Sequence, residues 1–323
     1  MGRTERVTIE DVAARAGVHA ATVSRALNHP EQVAPATRER VEAVVAELDF
    51  VPNRAARGLI TGKTGNVAVI VPDLTNPHFA ALVQAAGRAA REAELQLLLV
   101  DTGEHADEEV RAARTLAHEV DGFVVLSPRR LHKELAVLGS TPAVFVNRPV
   151  KGHASIIMRT APAVEEAVRH LADLGHTQLA YVGGPQASWA ATERRDAVRR
   201  SSATTGLTVH EVAAGPPTFE AGADAVDAVV ATPATAVVAF NAQMALGLIA
   251  GLSRRGISVP DEISVVGGDD VPMAPMTAPP LTAISLPTDA AGAAAVERLW
   301  GPGDRLELEA TFVERGSTAP VSR

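Results

Sequence analysis

Ten residues, His19 to Asn28, gather the side chains of this chain best suited to reading another molecule's surface. Thr22, Ser24, Arg25 and Asn28 lie within seven residues of one another, preceded by the small Ala20 and Ala21. An arginine here can donate paired hydrogen bonds to guanine O6 and N7, and hydroxyls and amides can bond phosphate oxygens or bases. Alanine can only pack, for example on a thymine methyl. Other chemistries are poorly supported. The chain has no cysteine, which excludes disulfides, thiolate metal sites and cysteine nucleophiles and suits a reducing cytosol. No Ser/His/Asp set has a recognisable motif around it, so an enzyme is not expected. The segment Gly58 to Thr64 superficially resembles a phosphate-binding loop, but three residues separate its glycines where four are needed, and no strand precedes it. His105, Asp107, Glu108 and Glu109 read as the acidic first turn of a helix rather than a metal site. His176, at a helix-to-strand turn, reads as structural. Neither metal nor cofactor is expected.

The elements that must position those side chains are short helices. Thr8 with Asp11 three residues on forms a capping-box pattern, Ile9, Val12, Ala13 and Ala16 share a face, and Gly17 stands at the C′ position. A second helix runs from about His19 to Asn28, with Val23, Ala26 and Leu27 inward. A third begins at Pro35 and carries Val41, Val44, Val45 and Leu48. Two short helices joined by a three-residue, glycine-containing turn make a helix-turn-helix. His19 is a poor N-cap, so the second helix should start weakly. Asp49 to Asn53 breaks the third helix, residues 54–59 could form one more short helix, and Thr61 to Gly65 reads as a linker.

Beyond Asn66, apolar runs alternate with helical patterns. Candidate strands are 67–71, 95–100, 122–126 and 143–146, then 179–182, 236–240 and 263–266. Candidate helices lie at about 77–94, 106–119, 162–174, 189–205, 219–231, 242–255 and 288–300. This alternation predicts α/β architecture with parallel sheets covered by helices, and its length predicts two lobes with a cleft between them. With 46% apolar and only 3% aromatic residues, the core must be built from Ala, Val, Leu and Ile. No apolar run reaches membrane-span length and no secretory signal opens the chain, so a cytoplasmic location with no membrane partner is expected. The net charge of −8 is uneven. Residues 1–64 carry nine Lys/Arg and eight Asp/Glu, leaving 21 and 30 for the remainder, and Arg54, Arg57 and Lys63 follow the last acid of the head. The positive charge sits where a nucleic-acid contact would need it.

The residues now support a family resemblance. Thr8 to Ala13, Ala16 to Val18, Thr22 to Asn28, Thr37 to Val41 and Pro52 to Ala56 resemble the opening of the lactose/galactose repressor family of bacterial transcription regulators. Val71 to Pro77, Leu174 to His176, Gln243 to Gly247, Val259 to Gly267, Pro279 to Thr282 and Arg315 to Pro320 continue it in order along nearly the whole chain. The resemblance implies a three-helix DNA-binding head over 1–50, a hinge helix and linker over 51–65, and a periplasmic-binding-protein-like core over 66–323. Within that core the first lobe is expected over about 66–160 and 288–301, and the second over 161–287 and 302–323. It implies a homodimer that binds a palindromic DNA operator and whose affinity is set by a small-molecule effector, with repression the expected outcome. A solute-binding protein of the same core fold is the alternative; it would need an export signal and would lack residues 1–60 as they stand.

The resemblance also implies sites. Thr8, Ala20, Ala21, Thr22, Ser24, Arg25, Asn28, Asn53, Arg54, Ala56 and Arg57 would face DNA, and Leu59 would wedge into a minor-groove step. Larger polar residues are usual where Ala20 and Ala21 stand. Effector contacts are expected at the C-terminal ends of strands, from Asn76, Phe79, Asp101, Ser127, Asn147, Arg148, Met158, Trp189, Arg194, Asn241 and Asp269. Three departures stand out. Asn147 replaces the usual Asp, Met158 to Thr160 replaces a common Val-Asp-Asn segment, and Asn241 is followed by Ala242 rather than Asp. Loss of acids beside Arg148, Arg194 and Arg159 points to an anionic ligand such as a phosphorylated sugar or an acid. Pairing of one arginine with Asp269 or Asp270 would instead fit a neutral sugar, and a core that binds no ligand is the remaining alternative.

Overall fold

The computed structural model describes residues 7–50, 63–213 and 215–321. The chain divides into two compact units, Met1–Thr64 and Gly65–Arg323.

In the head, α1 (Ile9–Ala16), α2 (Ala20–Asn28) and α3 (Pro35–Glu47) enclose a small core of Val12, Ala13, Ala16, Val23, Ala26, Val41, Val44 and Phe50. The expected capping box is present: Asp11 N donates to Thr8 Oγ1 at 3.3 Å and Thr8 N to Asp11 Oδ2 at 2.8 Å. These bonds hold the Asp11 carboxyl below its ordinary pKa. Gly17 ends α1 at φ 64°, a left-handed conformation that glycine adopts without a Cβ penalty. His19 makes no side-chain capping bond. Arg15 bonds Glu47 at 2.5 Å, tying α1 to α3 at the surface.

The core holds two six-stranded sheets. The first has order β11-β5-β4-β3-β1-β2. It comprises β1 (Asn66–Val71), β2 (Gln96–Asp101), β3 (Gly122–Leu126), β4 (Ala143–Val146), β5 (Ala154–Arg159) and β11 (Arg305–Glu309), with α4 (Pro77–Glu92) and α5 (Ala106–Leu116) between strands. The second has order β12-β10-β9-β8-β6-β7. Its strands are β6 (Gln178–Val182), β7 (Thr208–Val212), β8 (Ala236–Ala239), β9 (Ser264–Gly267), β10 (Thr282–Ser285) and β12 (Thr311–Val313). Its helices are α6 (Ala161–Asp173), α7 (Trp189–Thr205), α8 (Phe219–Asp224), α9 (Val226–Val230) and α10 (Ala242–Arg254), while α11 (Thr288–Glu297) returns to the first lobe. A Cβ on Gly292 would lie 2.5 Å from Leu82 O, so α11 reaches α4 only because glycine stands there. Pairing is parallel except between β10 and β12.

Two expectations change. Residues 302–323 do not all join the second lobe: β11 pairs with β5 from Arg305↔Ser155 to Glu309↔Arg159, and only β12 onward returns. The single helix foreseen over 219–231 is two short helices, α8 and α9. The strands β5, β7, β10, β11 and β12 had no counterpart in the hydrophobic pattern. His176 is structural, as read. Its ring nitrogens face Thr235 Oγ1 at 2.8 Å, Ser264 Oγ at 3.1 Å and Ala319 O at 3.2 Å, tying the C-terminal segment to the second sheet.

Candidate functional site

The first candidate surface is α2. Ala21, Arg25 and Asn28 are exposed, and spacings of four and three residues put them on one helical stripe. Thr22 and Ser24 are half-buried at its margins. Ala20 is likewise half-buried and packs against the head's core. Asn28 Nδ2 donates to Ser24 O at 2.8 Å, so part of its hydrogen-bonding capacity closes the helix on itself. Thr8, exposed, is occupied by its capping box. Asn53, Arg54, Ala56, Arg57 and Leu59, and most of the Gly58–Thr64 segment, lie outside the described residues.

The second is the boundary between the lobes of the core. The chain leaves β3 and β4 through Ser127 (φ 43°) and Asn147 (φ 55°), both left-handed, both buried, on adjacent strands. Non-glycine residues held so cluster at functional sites. From the second lobe come Arg194 on α7, Asn241 as N-cap of α10, and Asp269 after β9, at 5%, 1% and 2% exposure. Arg194 Nη1 donates to Phe240 O at 2.7 Å, and the guanidinium lies 5.0 Å from the Phe240 ring centroid. Its Nε has no hydrogen-bond partner among the described residues. Burial lowers the Arg194 pKa and Asp269 opposes the shift. Asp269 Oδ1 accepts from Ala242 N at the start of α10. Asn241 Oδ1 accepts from Met244 N at 2.9 Å, and its Nδ2 donates to Pro217 O at 2.8 Å.

The first lobe brings His78, which the sequence reading missed. It is buried at the start of α4, and burial pushes its pKa down to about 4, with Asp269 raising it and Arg194 lowering it. Gln243 Nε2 of α10 donates to Thr75 O at 3.3 Å, a direct contact between lobes. A ring at position 78, two residues after an N-cap asparagine on a strand-end loop, was the available signal.

Several predicted effector residues are spent on the fold. Asn76 caps α4 through His78 N at 3.0 Å, and Phe79 is buried in the first lobe's core. Asp101 accepts from Leu74 N and Gly103 N at 3.2 and 3.0 Å. Asn147 Oδ1 accepts from Met158 N at 3.2 Å, and Met158 is itself buried. The three arginines proposed to meet one anion do not converge. Arg148 Nη2 lies 2.5 Å from His132 Nε2, and burial, then neighbouring Arg129, lower its pKa. Arg159 stands 3.3 and 3.2 Å from Glu307 and Glu309 on the sheet edge. Asp270 is bound by Arg315 at 2.9 and 2.7 Å, not by Arg194. Trp189, half-buried, opens α7 and lines a groove beside β5 and β11.

Glu109 begins as part of the expected acidic helix start and does more. Buried at 1% exposure, it accepts from the backbone nitrogens of Arg129, Arg130 and Leu131 at 2.7, 2.8 and 3.0 Å, shaping the loop after β3. No group of three or more His, Cys, Asp or Glu among the described residues could hold a metal. No helix among them is long and apolar enough to cross a membrane.

A helix-turn-helix head followed by a two-lobed α/β core with a polar interlobe boundary defines a DNA-binding regulator rather than an enzyme. Comparison with known proteins agrees. Residues 8–53 match the family of bacterial regulatory proteins of the lacI type, and residues 168–318 match a periplasmic binding protein-like domain. The HTH-type transcriptional regulator CelR of Thermobifida fusca is 35% identical over 90% of both chains. The lac repressor dimer bound to operator and the anti-inducer ONPF superposes with a TM-score of 0.89 at 28% identity, covering 98% of this chain and 100% of that one. A CelR–cellobiose complex gives 0.71 at 31% identity over 97% and 100%. The chain belongs to the lacI family of transcription regulators.

Proposed function

We propose that this chain is a cytoplasmic repressor that binds a palindromic operator as a homodimer and releases or tightens it when a neutral sugar enters the interlobe site. One observation carries the effector class. Arg194, the buried cation of the site, sits against Phe240 O and beside Asp269, so its charge is answered within the protein. An anion there would face Asp269 as well, whereas sugar hydroxyls can both accept from the guanidinium and donate to the carboxylate. The sugar-phosphate reading is thereby disfavoured for this site. Relatives support the choice: the CelR structure holds cellobiose.

Arg25 and Ala21 read bases in the major groove, while Thr22, Ser24 and Asn28 meet phosphates or base edges. From sequence alone, Asn53, Arg54, Ala56 and Arg57 extend the contact and Leu59 opens a minor-groove step. The dimer is favoured by the edge strand β2, which leaves Leu99 43% exposed, a surface that a second copy covers. Selection of an operator from a random duplex pool, followed by footprinting with and without cellobiose, glucose and glucose 6-phosphate, tests this reading. A palindrome whose protection changes with a neutral sugar supports it; no selected sequence, or a response to the phosphate alone, overturns it.

A further inference from the structure

A second groove, of about 400 Å³, lies on the β11 side of the core and is walled by both lobes. The first lobe contributes Arg159, Arg305 and Glu307; the second contributes Trp189, Glu193 and Arg200. The local folding explains the grouping. Arg159 is paired in register with Glu309 across the β5–β11 ladder, and alternation along β11 puts residues 305, 307 and 309 on one face. Spacings of four and seven along α7 bring Trp189, Glu193 and Arg200 to one stripe.

The chemistry of these walls differs from that of the interlobe site. Arg159, Arg200 and Arg305 line the groove with Glu193 and Glu307, Glu309 and Glu165 stand beside Arg159 and Arg200, and each guanidinium is roughly half exposed, at 45%, 49% and 58% for Arg159, Arg305 and Arg200. Their carboxylate contacts are Arg159 Nη1 at 3.3 and 3.2 Å from Glu307 and Glu309, Arg305 Nη2 at 2.8 Å from Glu307, and Arg200 Nη2 at 3.4 Å from Glu165. A guanidinium carries five N–H donors, so each half-exposed arginine retains donors for a ligand's oxygens. Trp189 offers an aromatic face and Glu193 an acceptor for hydroxyls. The groove begins at Trp189, the first residue of the 17-residue α7. Its size falls within the range of small-molecule sites.

We propose that this groove is a second ligand site, separate from the Arg194–Asp269 site, for a sugar bearing a carboxylate or phosphate. The acid group is held by Arg200 and Arg305, the ring lies on Trp189, and Glu193 receives a hydroxyl.

Trp189 and Trp300 are the two tryptophans of the chain, and Trp300 is exposed at the end of α11. In full-length Trp300→Phe protein, emission therefore reports on Trp189. Titration with glucuronate and with glucose 6-phosphate distinguishes the two acid groups, with glucose as the neutral comparison. The proposal expects a saturable emission change with at least one acidic sugar and none with glucose. Arg200→Ala and Arg305→Ala, both surface changes, should each weaken that response about tenfold, the value of one charge-assisted hydrogen bond. Excess cellobiose and the Asp269→Asn substitution should leave it in place. Silence with both acids, an equal response to glucose, persistence in both arginine variants, or displacement by cellobiose would overturn the proposal. None of these outcomes bears on operator binding or on the interlobe sugar.

Discussion

The two candidate surfaces of this protein are built on opposite principles. On α2 the side chains that would read DNA stand exposed, and Arg25 takes no part in the packing of the head. At the interlobe boundary the polar groups are almost wholly buried and already bonded, with Arg194 on Phe240 O, Asp269 on Ala242 N and Asn241 on both Met244 N and Pro217 O. The head can change its reading residue without changing its fold. The core cannot lose a site residue without also losing a support of its fold.

That contrast fixes what substitutions should do. The largest effect is expected for Arg194→Ala. It leaves Phe240 O without its donor and Asp269 buried beside a cavity without the nearby cation, and the unmade hydrogen bond alone costs about 1–3 kcal/mol. Thermal melting of the core should fall steeply, together with sugar binding. His78 gives the next effect, seen as pH dependence. Its folded pKa of about 4 lies below the unfolded 6.5, so the folded state binds fewer protons between these values. Stability from this group is therefore complete above pH 6.5 and lost as pH falls toward 4. Between pH 7 and pH 5 the loss is about 2 kcal/mol, and His78→Phe should flatten that part of a melting-temperature profile. Arg25→Ala should weaken a selected operator by about 1–3 kcal/mol in anisotropy titrations with no change in melting temperature. The smallest effect belongs to the cap. Thr8→Ala should destabilise the head by about 1 kcal/mol in urea unfolding, and His19→Ser should recover a similar amount at α2.

The same contrast explains what could be read in advance. Head helices were legible because each boundary is written locally, in Thr8 with Asp11, Gly17 and Pro35. The buried parallel strands β1, β3 and β4 were legible as continuous apolar runs. By contrast β7 (Thr-Val-His-Glu-Val) and β11 (Arg-Leu-Glu-Leu-Glu) mix polar and apolar residues, lie at sheet edges and carry no such run. Nothing near Arg305 announces that its partner is Ser155, because strand pairing across 150 residues is set by the chain's three passages between lobes. Within the site, residue types were legible but their allegiances were not. Arg159, Arg148 and Arg194 looked alike in sequence; tertiary packing gives them Glu307 and Glu309, His132, and Phe240 with Asp269. A lone histidine beside a proline, as at His78, carries no pattern in sequence; the fold brings it within the electrostatic reach of Asp269 and Arg194.

One crossed experiment tests the central claim, that DNA reading and sugar binding reside in separately built surfaces. Operator affinity by anisotropy and cellobiose or glucose binding by calorimetry are measured on Arg25→Ala and Asp269→Asn of the full-length protein. The account predicts that Arg25→Ala loses operator affinity and keeps the sugar heat, while Asp269→Asn loses the sugar heat and keeps operator affinity in the absence of sugar. Equal loss of both functions in either variant, or unchanged operator affinity in Arg25→Ala, would contradict it.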